Sequence, residues 1–353
     1  FCPDGPRFPR MAGRGFLQLV DLPLVVAPMA GGPSTVSLVV QASAAGALGF
    51  LAAGYKSAAA VSTEIAAVRA ATSAAFGVNV FVPGEPSAER TAISGYVASL
   101  HPEAEALGAV LGEPNWDDDD FEAKVEALLD EPVAVVSFTF GCPSPKLIAA
   151  LRGSGTAVIV TVTTPSEAAI AHGAGADALC VQGHEAGAHR GTFTNRPNPA
   201  PEPRLSDLIA RVASVSDLPL IAAGGIMGPT EVDAVLTAGA SAAQCGTAFL
   251  RCPESGASVD HKAALTSGRY ASTVVTRAFS GRAARGLLNQ FIVDHPDAPA
   301  AYPEINNATR PMRAAAAVHH DPERMSLWAG TGYHAATEQP AAQVVADLCG
   351  HLR

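Results

Sequence analysis

Charge is scarce in this chain, and its excess has the wrong sign for binding a polyanion. Charged residues make up 16% of the 353 residues, and the formal net charge is −10. A nucleic-acid surface is disfavoured, because phosphate contacts need clustered lysine and arginine. Long apolar runs are also missing: no stretch reaches the roughly 18 residues of a membrane span. Cysteine occurs six times and never as CxxC, which points to neither a disulfide framework nor a zinc site. Cys180 and Cys245 stand inside apolar runs, where a free thiol packs as a small hydrophobe. A reducing, cytoplasmic compartment is the expectation. Phe1 to Arg10 is rich in proline and arginine and has no apolar core, so no secretory signal is read there. Met11 leaves open where the native chain starts. No GxGxxG follows a strand-like run.

What the chain does have is short apolar runs, each followed by a turn and then usually an alanine-rich helical stretch. Strands are expected at Leu24–Met29, Ala47–Ala53, Phe76–Val82, Val133–Phe140, Ala157–Thr163, Ala178–Gln182, Leu218–Ala223 and Ala242–Leu250. Helices are expected at Thr35–Ala45, Ser57–Ala71, Phe121–Asp130, Pro143–Leu151, Ser166–Ala171, Leu205–Val215 and Pro229–Ala238. Continuous apolar strands alternating with helices predict a parallel sheet covered on both sides. Eight repeats predict closure into a (β/α)8 TIM barrel. The pattern lapses between Ser255 and Ala335 and resumes with an amphipathic stretch, Pro340–Leu352, placed to be the eighth barrel helix. The expectation is a barrel from 15–254 and 336–353, with an α-rich cap at 255–335 inserted after strand eight. The run Asp117 to Asp120 reads as a solvated loop leading into the first turn of a helix, where negative charge is favourable.

A barrel of this kind carries its site at the C-terminal ends of the strands, often with a phosphate after strands seven and eight. Glycine stands at both places, as Gly224-Gly225 and as Gly246 in Gln244-Cys245-Gly246-Thr247. Backbone N–H groups in such turns form an anion cradle, to which Thr247 adds a hydroxyl. Pro28, Met29 and Ala30 at the end of strand one shape a bulge that can pass along a planar ring. Asn79 and Gln182 lie at strand positions where a buried amide needs partners. Taken alone, each is as readily a structural hydrogen bond; beside the glycine turns, ligand contact is favoured. The richest segment is Gln182-Gly183-His184-Glu185-Ala186-Gly187-Ala188-His189-Arg190-Gly191. Histidine is the side chain best placed to move protons near neutral pH. His189, just past Gly187, is preferred over His184. Cys142 ends strand four as a candidate pocket residue. Tyr270, Tyr302 and Arg277 are candidate contacts from the cap.

In combination these segments resemble the nitronate monooxygenases, once called 2-nitropropane dioxygenases, which are FMN-dependent (β/α)8 barrel enzymes. The matching segments are APMAGGPST, FGVNVF, FTFGCP, VQGHEAGAHRG, AAGGIM, QCGTAFL, TRAFSGRAARGLLN and SLWAGTG, from Leu24 to Gly332. The resemblance implies FMN contacts at Asn79, Gln182, Gly187, Gly224, Gly225 and Gln244 to Thr247, with His189 as catalytic base. It implies one-electron oxidation of alkyl nitronates, nitroalkanes or propionate 3-nitronate, with O2 as reoxidant and a carbonyl compound and nitrite as products. The family reads EAGGHRG where this chain has Ala188, so the need for a positive φ there is open to test. Two alternatives stay open: an NAD(P)H-dependent reductase of the same fold, for enoyl thioesters or quinones, and a flavin-binding protein of a biosynthetic pathway. Oligomeric state leaves no readable signal.

Overall fold

The computed structural model describes residues 16–196 and 203–352. The readings at Phe1–Arg10 and Met11 lie outside them. The strands are β1 Leu24–Val26, β2 Leu48–Ala52, β3 Phe76–Phe81, β4 Val135–Thr139, β5 Ala157–Val162, β6 Ala178–Gln182, β7 Ala188–His189, β8 Leu220–Ala223, β9 Ala242–Cys245, β10 Thr273–Thr276 and β11 Ala284–Leu287. Eight of them, β1 to β6 with β8 and β9, close a parallel barrel in sequence order. Alternation along each strand decides what faces inward. Val25, Phe50, Val135, Ile159 and Ile221 form one apolar cluster in the lower barrel interior. Leu24, Val160, Leu179, Ala222 and Cys245 pack instead against the helices. Towards the C-terminal ends polar side chains join the lining: Asn79, Thr139, Thr161, Gln182 and Gln244 border one cavity. The upper barrel interior is therefore the polar floor of a site.

Four of the barrel helices begin where the sequence offers a side-chain cap. Thr35, Ser57, Ser144 and Thr164 each accept a hydrogen bond from the backbone N–H three residues on. The last helix, Ala341–Cys349, shares a core with Leu38 and Ala42 of the first, Val36–Ala44, as an eighth barrel helix should.

Three expectations need correction. The eighth strand stops at Cys245, because Gly246 turns the chain into a 3-10 turn, Thr247–Phe249, where a longer strand was read. The α-rich cap also carries strands that its sequence did not signal. Its hairpin β10–β11 pairs with β7, so a three-stranded sheet includes two residues of the β6 loop. Helices Arg90–Ser99 and His101–Ala106 went unread, because each buries only one residue, Ile93 or Ala104. Leu100, Ala104 and Leu107 then join the core of the cap, so its packing draws on more than 255–335.

The aspartate run is not simply solvated. Lys124 is fully buried, with its ammonium 2.8 Å from Asp119 Oδ2. Burial raises the Asp119 carboxyl above its ordinary value, and Lys124 opposes that shift.

Candidate active site

A cavity of about 650 Å³ opens at the C-terminal end of the barrel, within the usual range for small-molecule sites. Pro28, Met29, Ala30, Asn79, Gln182, Gly187, His189, Gly224, Gly225, Gln244, Cys245, Gly246 and Thr247 all border it. From the cap come Asn306, Arg310, Arg313, Trp328 and Gly330. Among the described residues the lining holds Arg310, Arg313 and Lys56, the last paired with Glu64 at 2.7 Å, and no aspartate or glutamate. An anionic ligand is what such a lining receives best.

The glycines have different reasons. Gly224 and Gly225 have φ of 131° and 71°, a region open to glycine. A Cβ on Gly225 would meet Glu185 Cβ at 3.1 Å and Thr331 Oγ1 at 3.2 Å. Gly187 has no room for a side chain because the cap backbone crosses there: a Cβ would lie 2.5 Å from Ala329 C and Gly330 N. Thr247 Oγ1 accepts from the Gly330 N–H at 3.0 Å, so its hydroxyl also ties down the cap.

The amides divide. Asn79 Nδ2 donates to Ser137 Oγ at 2.9 Å and to Thr139 Oγ1 at 3.0 Å. Its Oδ1 keeps no partner among the described residues and can accept from a bound ring. Gln182 is more committed. Its Nε2 donates to His189 O at 3.0 Å, and its Oε1 accepts from Arg190 at 2.7 Å and from the Gly191 N–H at 2.8 Å. Gln182 brackets the loop that carries His189. Cys245 packs its thiol into the core outside the barrel, leaving only backbone for a ligand.

The two loop histidines separate cleanly. His184 Nδ1 lies 3.0 Å from Pro203 O, away from the cavity. His189 faces the cavity, with Nε2 2.8 Å from Ser280 Oγ. Its Nδ1 has no partner among the described residues, so Nδ1 is the nitrogen left for a ligand. Burial first, then the charges of Arg282 and Arg313, hold its pKa down at about 3. Arg282 is itself buried and stacks 3.9 Å over the Phe140 ring. His189 is therefore a neutral imidazole under strong positive potential. Because Arg313 is one cause, Arg313→Met should raise the His189 pKa. NMR titration of the ring would read this, and an unmoved titration would remove Arg313 from the environment of His189.

The other candidates fare unevenly. Arg190 is buried and donates to Gln182 and Gly183 carbonyls, so it is a bracket and not a ligand. Cys142 is absent from the cavity; its thiol rests 3.4 Å from Pro143 O, and burial pushes it up to about 11. Tyr270 is buried in the cap, donating to Glu323. Arg277 donates to Arg196 O. Tyr302 does not border this cavity but lines an adjoining one, with its ring 5.6 Å from that of His189. Sequence reasoning missed Ser280, Arg282, Arg310 and Arg313. Ser280 and Arg282 lay inside the recognised TRAFSGRAARG segment, yet only the β11–β7 pairing brings that segment against His189.

Ala188, the departure from EAGGHRG, has φ of 61°. The backbone there does take the left-handed conformation that favours glycine, at a strain of roughly 1–2 kcal/mol for alanine. The greater flexibility of glycine in the unfolded chain offsets part of it. Ala188→Gly should therefore stabilise by about 0.5–1 kcal/mol, seen as a melting temperature a few degrees higher at most. A lower melting temperature would show that packing of the alanine methyl outweighs the strain.

The profile of the family described as nitronate monooxygenase matches residues 17–351. A probable nitronate monooxygenase of Staphylococcus aureus (strain Newman) is 37% identical over 343 residues, covering 94% of this chain and 95% of its own. The crystal structure of a nitroalkane oxidase from Streptomyces ansochromogenes superposes with a TM-score of 0.90 at 47% identity, covering 94% of this chain and 95% of that one. FabK from Thermotoga maritima is more distant, with a TM-score of 0.71 at 26% identity, over 94% and 93% of the two chains. A (β/α)8 barrel whose polar floor, glycine turns and buried histidine meet at one cavity thus matches these relatives over nearly its whole length, and the chain belongs to the nitronate monooxygenase family of oxidoreductases.

Proposed function

We propose that this protein binds FMN and oxidises alkyl nitronates with O2 to a carbonyl compound and nitrite. The observation that carries the reading is the cavity lining: Arg310, Arg313 and a Lys56 paired with Glu64, no carboxylate among the described residues, and a His189 kept neutral by burial first and then by Arg282 and Arg313. A nitronate is an anion, and positive potential in a partly desolvated cavity favours it over its neutral nitroalkane. The residues fit FMN. The glycine turns after β8 and β9 offer one phosphate a cradle, the β1 loop with Pro28 and Met29 offers a ring a surface, and Asn79 Oδ1 offers an acceptor. FMN would supply the redox chemistry. The protein's share is to hold the anion and to keep a neutral imidazole beside it, with Nδ1 free to take a proton. A group of such low basicity is a weak general base, so nitronates should turn over faster than nitroalkanes.

Among the described residues no helix is long and apolar enough to cross a membrane. The five described cysteines are free, which supports a reducing compartment, and we assign the protein to the cytoplasm. The barrel at 15–254 and 336–353 and the cap at 255–335 remain our proposed division.

The test is anaerobic mixing on one preparation. A nitronate should bleach the flavin absorbance, NADH should leave it intact, and aerobic turnover should release nitrite. Fast bleaching by NADH, with no nitrite from any nitronate, would move the assignment to a pyridine-nucleotide-dependent reductase.

A further inference from the structure

The aspartate run ends up beside a second cavity of about 690 Å³, which shares Tyr55, Phe81 and Phe140 with the first. Each of three carboxylates there holds a different element. Asp117 accepts from Asn307 Nδ2 of the cap helix Glu304–Val318 at 2.7 Å. Asp120 accepts from the Ala58 N–H, at the start of helix Ala58–Ala71, at 2.8 Å. Asp119 Oδ1 accepts from the Tyr55 N–H at 2.8 Å, while its Oδ2 meets the buried Lys124.

Tyr55 needs such an anchor. Its φ is 67°, a conformation a bulky residue keeps only when its surroundings over-determine it. Its ring lies edge-on to Phe81, and its hydroxyl accepts from Tyr302 OH at 3.2 Å. Tyr302 in turn lies 5.5 Å from the Phe140 ring and 5.6 Å from the His189 ring. A continuous line of contacts therefore runs from Lys124 through Asp119, Tyr55 and Tyr302 to His189.

We infer that the Asp119 side-chain oxygen is a positioning clasp for the reaction: it fixes Tyr55 through the Tyr55 N–H, and through the phenol pair it sets Tyr302 as the wall against His189. Asp119 does not border the cavity that holds His189, so it acts through Tyr55. The kinetic part of the inference rests on the nitronate-oxidising reading.

Breaking the pair one residue at a time strands a buried charge and risks the fold. Two double variants avoid this. Asp119→Asn with Lys124→Met removes both charges and keeps an acceptor for the Tyr55 N–H. Asp119→Gly with Lys124→Met removes the charges and the acceptor, and glycine tolerates the φ of 55° at that position. With FMN content and melting temperature alike, only the glycine variant should raise KM for a nitronate, by about tenfold for one lost hydrogen bond. In a Tyr55→Phe background, which removes the phenol pair, that increment should largely vanish. Amide exchange over residues 53–58 should quicken in the glycine variant and not in the asparagine one. Equal KM in the two double variants, or full additivity with Tyr55→Phe, would overturn the clasp. If the wild-type protein turns over no nitronate, the functional reading falls. Amide exchange still decides the clasp, because unchanged protection of Tyr55 in the glycine variant overturns it independently.

Discussion

Gly225→Asp should strip FMN from the purified protein while leaving the barrel folded. Gly225 sits just past the end of β8, with φ of 71°, bordering the cavity. Aspartate tolerates the left-handed region better than most side chains, so backbone strain is not the main effect. Charge is. A carboxylate about 4 Å from a phosphate at an effective dielectric of about 20 is repelled by about 4 kcal/mol per charge pair. Allowing for partial relaxation, about 2–4 kcal/mol remains, a loss of roughly 30- to 1000-fold in flavin affinity. Gly225→Ala separates the causes. Its Cβ meets only side-chain atoms, at 3.1 and 3.2 Å, so its loss should be far smaller. Equilibrium titration of the apoprotein with FMN reads both, and circular dichroism reads the fold. Unchanged affinity in the aspartate variant would remove the β8 turn from the phosphate site.

That prediction was available from sequence because glycine turns at strand ends are local signals. The eight apolar runs and the two glycine turns each depend on a few neighbouring residues, and they placed the barrel and its mouth. The preference for His189 over His184 came the same way. What stayed unread depends on contacts between distant segments. Ser280 meets His189 only because β11 pairs with β7, across nearly a hundred residues of chain. Gln182 looks like a ligand amide in a strand, yet its oxygen is used by Arg190 and Gly191 on the same loop. Asp119 looks like one of four equivalent solvated aspartates, until Lys124 and Tyr55 are seen folded onto it. The basicity of His189 is set by burial, by Arg282, whose segment is brought to it only by the β11–β7 pairing, and by Arg313, which has no sequence signature.

The low basicity sharpens what His189→Asn should do. A neutral nitroalkane must lose its α-proton before oxidation, whereas a nitronate has already lost it. In the wild-type enzyme kcat/KM for a nitronate should exceed that for its parent nitroalkane, because an imidazole with a pKa of about 3 is a weak acceptor. Asparagine keeps a polar group of similar size near Ser280 but cannot take a proton. Whatever nitroalkane turnover exists should therefore fall by about 10²-fold, the low end of what a general base contributes, because this imidazole is a weak acceptor. Nitronate turnover should stay within about tenfold, since Arg310 and Arg313 in the cavity lining would still hold the anion. The low pKa also sets the pH dependence of the wild type. His189 binds its proton only as pH falls towards 3, so no acid limb from this residue should enter the nitronate profile between about pH 5 and 8. Steady-state nitrite release from both substrates at matched pH, on protein with FMN bound, decides the matter. Equal damage to both substrates would mean that His189 orients the anion instead of accepting its proton, and that any deprotonation happens in solution before binding.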